Sequence, residues 1–336
     1  MTGIARNILI WAALIGVCLP AHGALADDFK LALPVACELG EECWIINHVD
    51  QDPGDKYQDF RCGHLSYNTH KGTDFGLKNL ALMEAGVPVL ASASGVVAGT
   101  RDGMDDINLR DLPEGAVKGK ECGNGIRVHH SDGWATQYCH LKKGSVRVKK
   151  GDKVTVGQQL GEIGLSGATE FPHVHLQVSK DKKIIDPFVG LSEPAAACEG
   201  SDKPLWSRAA AIQVTYTPPY LLDVGFANRV ISSREAASGQ FSGSASFSNE
   251  AAAITIWLRA AGIKVGDKMR LQIFAPDGQA MTDKSLIADK NKIMRFSLSG
   301  RKKPKQGWPK GIYRGVITLS RDNGPTRTKQ INLKVE

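Results

Sequence analysis

The chain has 336 residues, of which 42% are hydrophobic and 23% charged, and its formal net charge is +7 at pH 7. These fractions suit a soluble globular protein and exclude a chain too polar to form apolar cores, while the length suggests about two domains. The mildly basic charge favours attraction to anionic surfaces. An ordinary solvated surface explains it equally, so charge alone does not define a partner.

The first residues predict a secretory signal peptide. Arg6 supplies a positive start, residues 8–19 are apolar, and Ala24-Leu25-Ala26 is a small-x-small cleavage site. The apolar run is too short to span a bilayer, and no later segment is apolar enough to do so. We therefore expect cleavage near Ala26, no transmembrane span, and localisation in the periplasm or outside the cell. An uncleaved anchor is the alternative.

The cysteines predict disulfides. Six remain beyond the predicted signal peptide: Cys37, Cys43, Cys62, Cys122, Cys139 and Cys198. An even number in an exported protein predicts three bridges. Of the possible pairs we predict only Cys122–Cys139, because these two residues end segments that are predicted to be neighbouring strands. The pairing of the other four stays open. A cysteine zinc cluster is disfavoured because no pair has C-x2-C spacing.

The segment that follows the signal peptide, 27–69, is irregular and rich in turn residues, and we expect disulfides to hold it. Residues 70–190 are predicted to form a small β-sheet or barrel-like domain, with a charged insertion loop at 101–121. Its predicted strands are short, contain β-branched residues and end at turn signals. They are 87–99, 125–130, 134–141, 145–149 and 173–179.

Residues 191–209 are small, polar and contain proline, which is typical of a linker. Residues 210–336 contain a second series of short strands with turn signals between them, and predict an immunoglobulin-like β-sandwich as an accessory domain. Its predicted strands are 211–217, 253–260, 268–275, 292–298, 312–320 and 328–335. The Ser- and Ala-rich stretch 231–249 is interpreted as a long loop. The expected fold class is mainly β throughout.

Two histidine motifs point to a metal. One is the His70-x3-Asp74 pair and the other is His173-Val174-His175. On a strand, side chains alternate between faces, so both histidines of the second motif share one face while Val174 points to the core. Two imidazoles and a carboxylate suit zinc, and three protein ligands leave one coordination position open for water, as in catalytic zinc sites.

A third histidine extends this group. On strand 134–141 the alternation places Trp134, Thr136, Tyr138 and His140 on one face. If this strand runs beside 173–179, His140 and Tyr138 join the same cleft. The remaining histidines of the mature chain are interpreted as surface or structural residues. They are His48, His64, His129 and His130.

Taken in order, these motifs and the glycine-containing stretches around them resemble the lysostaphin-type (LytM-like) zinc metalloendopeptidase family across roughly residues 64–190. The matching stretches are 70–76 (HKGTDFG), 89–97, 123–125, 136–141 (TQYCHL), 150–154, 157–158, 164–167 (GLSG) and 172–176 (PHVHL). One departure is the stretch 168–172, where the family commonly has small residues or glycine. Glu170 and Phe171 are therefore expected to shape a different substrate cleft.

The resemblance also implies residue roles. It makes His70, Asp74 and His175 the zinc ligands, and His140 and His173 the catalytic histidines that activate water and stabilise the transition state. The residues alone could not separate His173 from His175, because both face the predicted metal.

The resemblance implies an exported Zn²⁺-dependent endopeptidase that cuts peptide cross-links of bacterial peptidoglycan. No nucleic-acid partner is expected. Two alternatives stay open: a non-catalytic or latent wall-binding regulator of other hydrolases on the same fold, and a secreted protease of glycine-rich proteins. For latency, residues 27–69 or 101–121 would block the cleft. The cleaved bond, the oligomeric state and the ligand of the C-terminal domain are not determined by the sequence.

Overall fold

The structure, a computed structural model, describes residues 1–2, 29–192, 198, 200–201 and 203–336. The predicted signal peptide and its cleavage site lie almost wholly outside these residues. Among the helices that are described, none is both long and apolar enough to cross a bilayer. The chain is mainly β, as predicted.

In the described part of the N-terminal half there are ten strands: β1 (Cys43–Asn47), β2 (Thr73–Leu77), β3 (Pro88–Leu90), β4 (Gly95–Arg101), β5 (Asn124–His129), β6 (Trp134–Leu141), β7 (Lys153–Val154), β8 (Gln159–Glu162), β9 (His173–Lys180) and β10 (Lys183–Ile184). Eight belong to the C-terminal half: β11 (Tyr220–Ala227), β12 (Ala245–Phe247), β13 (Ala253–Ile263), β14 (Lys268–Phe274), β15 (Ala280–Ile287), β16 (Lys292–Lys302), β17 (Gly311–Ser320) and β18 (Thr326–Val335). The helices are α1 (Leu80–Ala85), α2 (Arg208–Ala211) and α3 (Ser233–Ser238), with a 3-10 turn at Leu109–Asp111.

The N-terminal half is built on one sheet with the strand order β1-β2-β9-β6-β5-β4-β7, and β10 is paired to β9. All of these pairs are antiparallel. Phe75, Val128 and Leu176 are fully buried in the core under this sheet. Strands β3 and β8 form a separate pair. The sheet therefore brings β2, β9 and β6 side by side; these strands carry the predicted site residues except His70, which precedes β2.

Three details of this half differ from the sequence prediction. Residues 145–149, which the structure describes, lie outside any strand, and the predicted strand 87–99 is divided into β3 and β4. Strand β1 lies inside the segment that was expected to be irregular. Every residue of β1 is buried, and a short run that is buried on both faces lacks the alternation by which a strand is recognised in a sequence.

The C-terminal half consists of a three-stranded sheet, β11-β13-β16, and a five-stranded sheet, β12-β18-β17-β14-β15. Phe226 and Leu258 of the first sheet share a buried core with Leu271, Tyr313 and Leu333 of the second. Two sheets that face one common core agree with the predicted sandwich. Its immunoglobulin-like character stays a prediction.

Two predictions in this half are wrong. The expected strand 211–217 is replaced by α2 and an extended stretch, and β11 begins only after Pro218-Pro219. Two prolines in succession supply no N–H groups for strand pairing, so the strand starts beyond them. The expected loop 231–249 contains α3, which is stabilised by a capping box between Ser232 and Glu235.

The two halves share a buried interface. Trp44, Ile46 and Leu65 from the N-terminal half pack with a group of side chains on the three-stranded sheet that includes Tyr220 and Leu222. The segment expected to be a linker also takes part in packing, because its residues 205 and 206 are buried in the N-terminal core.

The described residues contain three disulfides: Cys37–Cys43, Cys62–Cys198 and Cys122–Cys139. The last confirms the one pairing that was predicted. The first two hold the segment 27–69, the first by an internal bridge and the second by a bridge to residue 198.

Candidate metal centre and active-site cleft

Strands β2 and β9 position the central residues of the site. In their antiparallel register Asp74 lies directly opposite His175, and Gly76 lies opposite His173. Val174 is fully buried in the core below, so the two histidines of the motif face away from it, as the alternation predicted. Directly opposed residues have closely spaced side chains, and this brings the carboxylate and the imidazole together.

His70, Asp74 and His175 form a compact triangle of donor atoms. His70 Nε2 lies 3.2 Å from Asp74 Oδ1 and 3.1 Å from His175 Nδ1, and the last two atoms are 2.9 Å apart. Among the described residues this is the group whose side chains are arranged to hold a metal ion. The predicted ligand residues are thus brought together in space, although 105 positions separate the first from the last.

This donor set fits zinc. A tetrahedral zinc ion with bonds of about 2.0–2.2 Å places its ligand atoms roughly 3.3 Å from one another. The three separations found here are close to that value. Two imidazole nitrogens and one carboxylate oxygen are also ligands that zinc commonly takes.

The other polar atoms of these side chains are held by neighbours. His70 Nδ1 donates to the carbonyl oxygen of His48 at 2.7 Å, which leaves Nε2 as the lone-pair atom that faces the triangle. Asn47 donates to Asp74 Oδ2 at 2.8 Å, which leaves Oδ1 for the same point. Such contacts orient the ligands of metal sites. A Cβ on Gly72 would lie 2.5 Å from His175 Nε2, so glycine is required for this close approach.

His140 and His173 lie beside the triangle, with their ring centroids 4.6 Å apart. His140 Nδ1 lies 2.8 Å from the carbonyl oxygen of Ser166, and His173 Nδ1 lies 3.0 Å from that of Phe171. A carbonyl only accepts, so the proton of each neutral ring is on Nδ1 and Nε2 is left as a free acceptor. His173 Nε2 is 3.5 Å from Asp74 Oδ1, which places it next to the candidate metal position.

The local electrostatics shift the pKa values of the His140–His173 pair and favour the neutral imidazoles, whereas they favour the ionised carboxylate of Asp74. Burial lowers the pKa of His140 well below its usual value, with a further contribution from the neighbouring His173. Burial also lowers the pKa of His173, against the opposing charge of Asp74. Both rings are therefore neutral near pH 7. For Asp74, burial alone would raise the pKa, but the interactions with the neighbouring imidazoles of His70, His173 and His175 outweigh it and hold the pKa well below the usual range.

The prediction for Tyr138 is wrong. Strand β6 does run beside β9, but Cys139 lies opposite His175, and Tyr138 is fully buried, with its hydroxyl accepting the N–H of Ser92. His140 reaches the cleft because its backbone is left-handed, with φ +63°. This conformation interrupts the alternation at the end of the strand, a local break that a period of two does not predict.

The site lies in an open cleft of about 910 Å³. Glu170 and Phe171, which the sequence singled out as a departure, line it, as do Leu109 and Arg110 of the loop 101–121. Sequence reasoning missed a further set of lining side chains that comes from β16 in the C-terminal half. They are Lys292, Ile293 and Met294. Nothing in the local sequence of β16 marks it as part of a cleft, because that role arises only from the packing of the two halves.

His48 is a structural residue, as interpreted. It is buried between the rings of Phe60 and Phe188, at centroid distances of 5.0 and 4.8 Å. Burial lowers its pKa to about 4, so its ring is neutral at pH 7. Its carbonyl oxygen, rather than its ring, serves the site by accepting from His70.

The fold and the site together define a β-sheet domain that carries a His-Asp-His donor triangle and a second histidine pair. Residues 68–187 match the family model described as Peptidase family M23. This match confirms, for that part of the chain, the resemblance inferred from the sequence.

Individual relatives match over the same region. An uncharacterized metalloprotease of Buchnera aphidicola is 31% identical over 118 residues, which are 35% of this chain and 25% of the relative. The peptidoglycan DD-endopeptidase ShyA of Vibrio cholerae is 34% identical over 109 residues, or 32% of this chain and 20% of the relative. The chain thus spans a quarter or less of the length of these two relatives.

Among solved structures, the catalytic domain of the antimicrobial peptidase lysostaphin from Staphylococcus simulans is 27% identical. The match covers 35% of this chain and 76% of that domain, with a TM-score of 0.26.

Proposed function

We propose that the protein is a zinc-dependent endopeptidase that cleaves peptide cross-links of bacterial peptidoglycan. The observation that carries this proposal is the convergence of the donor atoms of His70, Asp74 and His175 to within 3.2 Å on the floor of an open cleft, with the His140–His173 pair beside them. Relatives whose names describe peptidoglycan DD-endopeptidases support the choice of substrate.

In this proposal His70 Nε2, Asp74 Oδ1 and His175 Nδ1 hold the zinc. The bound ion would polarise the scissile carbonyl and lower the pKa of the attacking water. The chain's own contribution is the orientation of its ligands. The carbonyl of His48 fixes the tautomer of His70, and the amide of Asn47 fixes the rotation of the Asp74 carboxylate.

His140 and His173 would perform the proton transfers. Each is neutral near pH 7 and has a free Nε2, so either ring can take the proton of the attacking water. The protonated ring can then donate to the leaving amine of the cleaved peptide. Before that transfer, the same protonated ring can donate to the developing oxyanion; the other, neutral ring cannot, because its Nε2 carries no proton. Because both Nδ1 atoms are held by backbone carbonyls, neither ring needs to reorient between these steps.

We further propose that the protein acts in the periplasm or outside the cell. Three disulfides support an oxidising compartment. The mildly basic charge suits attachment to an anionic wall.

The decisive test uses the chain without residues 1–26, produced in an oxidising compartment and incubated with purified sacculi with and without a chelator. We expect cross-linked muropeptide dimers to be lost, and the loss to stop when the chelator is present. The identity of the products names the cleaved bond. If the protein cleaves glycine-rich proteins but leaves the sacculi intact, the proposal is wrong and a secreted protease is the better interpretation.

The same test addresses a latent or regulatory protein. The structural basis for that candidate is the loop 101–121, which borders the cleft through Leu109 and Arg110 and is joined to a further lining residue by the Arg110–Glu170 ion pair. One bound zinc per chain without any product release from sacculi would favour it over the peptidase.

A further inference from the structure

A second groove adjoins the metal cleft. It has a volume of about 820 Å³ and lies between the N-terminal domain and the three-stranded sheet of the C-terminal half. The two cavities share five lining residues: Arg110, Glu170, Phe171, Lys292 and Met294. A ligand held at the metal can therefore extend into this groove without leaving the protein surface.

The lining of the groove combines apolar and charged side chains. Leu80, Phe171 and Pro172 line it from the N-terminal domain, and Met294 and Phe296 line it from β16. Such a mixture of apolar surface and a few polar groups is typical of ligand sites.

The acidic side chains of the groove are already bonded within the protein. Asp111 pairs with Arg234 of α3 at 2.7 Å, and Glu170 pairs with Arg110 at 2.5 Å. Asp106 accepts two backbone N–H groups. These carboxylates are therefore already paired within the protein, in contacts that involve the loop 101–121. Because they are paired, they leave little negative charge to repel an anionic ligand.

Two basic side chains of β16 are not neutralised in this way. Lys292 and Arg295 line the groove and are partly buried. Among the described residues neither takes part in an ion pair, and the Arg295 Nε–H donates only to the hydroxyl of Ser297. Lys292 borders both cavities. Partly buried cations without a partner attract carboxylates more strongly than exposed ones do.

We propose, on the basis of the function proposed above, that this groove binds the acidic peptide of the substrate where it extends beyond the scissile bond. Lys292 and Arg295 bind its free carboxylates, and the apolar surface around Phe171 and Phe296 contacts its aliphatic parts. The C-terminal sandwich is then a wall of the substrate site and a determinant of specificity, in addition to being a separate module. Two observations favour an acidic peptide as the ligand: the groove contains basic side chains without an ion-pair partner in the described part of the chain, and it is continuous with the metal cleft.

The test compares three charge-reversal variants of the whole mature chain: Lys292→Glu, Arg295→Glu and Lys302→Glu. The last is the matched control, because Lys302 lies on the same strand but is exposed at its far end and lines neither cavity. The substrates are a purified cross-linked muropeptide dimer with free carboxylates and the same dimer with those carboxylates amidated. Circular dichroism and thermal unfolding establish that each variant is folded.

We expect Lys292→Glu and Arg295→Glu each to raise KM for the acidic dimer by about tenfold or more, since one charge-assisted hydrogen bond is lost and a repulsion is added. The kcat should change little, because neither side chain belongs to the His-Asp cluster. Amidation of the dimer should raise the KM of the wild-type protein by a similar factor. With the amidated dimer, the KM values of wild type and of these two variants should therefore be nearly equal. Lys302→Glu should behave as wild type.

Binding of the dimer is measured separately by calorimetry in a His140→Ala background, with and without Lys292→Glu. Dimer binding that depends on Lys292, with no cleavage by any form of the protein, would reject the peptidase and leave the groove assignment standing. Cleavage with equal KM values for the Lys292 and Lys302 variants would overturn the groove assignment and leave the peptidase standing. Equal binding of peptide-free glycan strands, with the same dependence on Lys292, would also overturn it, because the ligand would then not be the peptide.

Discussion

At the scale of single residues, the backbone decides which atom of each histidine is free. Carbonyl groups accept from Nδ1 of His70, His140 and His173, so the Nε2 atoms of all three are directed to the cleft. His175 is the exception, because its Nδ1 faces Asp74. The site is therefore assembled as much by acceptors on the main chain as by the histidines themselves.

Two substitutions separate ligand from catalytic roles. His70→Ala removes one of three donors, so we expect the loss of both bound zinc and activity. His140→Ala leaves the donor triangle complete, so we expect zinc to be retained and the rate to fall by about 10² to 10⁴, the usual contribution of a general acid or base. Zinc per chain, measured by atomic absorption, and the release of muropeptides are the two readouts. Unchanged zinc content in the His70 variant would refute the ligand assignment.

At the scale of elements, the strand order β2-β9-β6 places Asp74, the His173-Val174-His175 motif and His140 on neighbouring strands, with His70 just before β2. Their sequence spacing reveals the alternation on β9 but not the turn of the backbone at His140. That turn lies where β6 meets the disulfide partner of Cys139: the His140 N–H donates to the carbonyl of Cys122 at 2.8 Å. The disulfide thus links the end of the loop 101–121 to the end of β6, beside the candidate active-site cleft.

Removal of this bridge tests that arrangement. The double variant Cys122→Ser/Cys139→Ser opens a loop with a sequence separation of 17, and loop entropy predicts a loss of about 3 kcal/mol in the free energy of unfolding. We also expect weaker substrate binding, because Cys139 and the loop line the cleft. Urea unfolding and KM measure the two effects.

The control is Cys37→Ser/Cys43→Ser, whose separation is only 6. By the same relation, this control should lower the free energy of unfolding by only about 2 kcal/mol. It should leave KM unchanged. A rise in KM that is equal in both double variants would contradict a specific role for the Cys122–Cys139 bridge.

At the scale of the whole molecule, the two halves are joined through a buried apolar contact with hydrogen bonds at its side. Arg259 of β13 donates to the carbonyl of Lys78 at 2.6 Å, and Asn79 donates to Asp223 of β11 at 2.9 Å. Leu222 is buried in the interface beside Trp44 and Leu65. Contacts of this kind fix the position of β16 relative to the metal cleft.

We therefore expect the two halves to unfold together. Leu222→Ala should lower the free energy of unfolding by about 2–5 kcal/mol, the usual cost of deleting a buried leucine side chain. It should shift a single thermal transition seen by calorimetry. Ile312→Ala is the matched control: its side chain lies on β17, is 53% exposed, and should have almost no effect. Two separate transitions, only one of which shifts, would show that the interface does not couple the halves.

The sequence by itself determined the mainly β fold class, the alternation of His173 and His175 against Val174, the Cys122–Cys139 bridge and the family resemblance of the central region. These features are local: they depend on a period of two, on cysteines at strand ends and on motifs in order. The tertiary structure decided the rest, namely the entry of His140 into the cleft without Tyr138 and the placement of β16 at the cleft. The first depends on one left-handed residue and the second on the packing of two halves, and neither leaves a periodic signal in the chain.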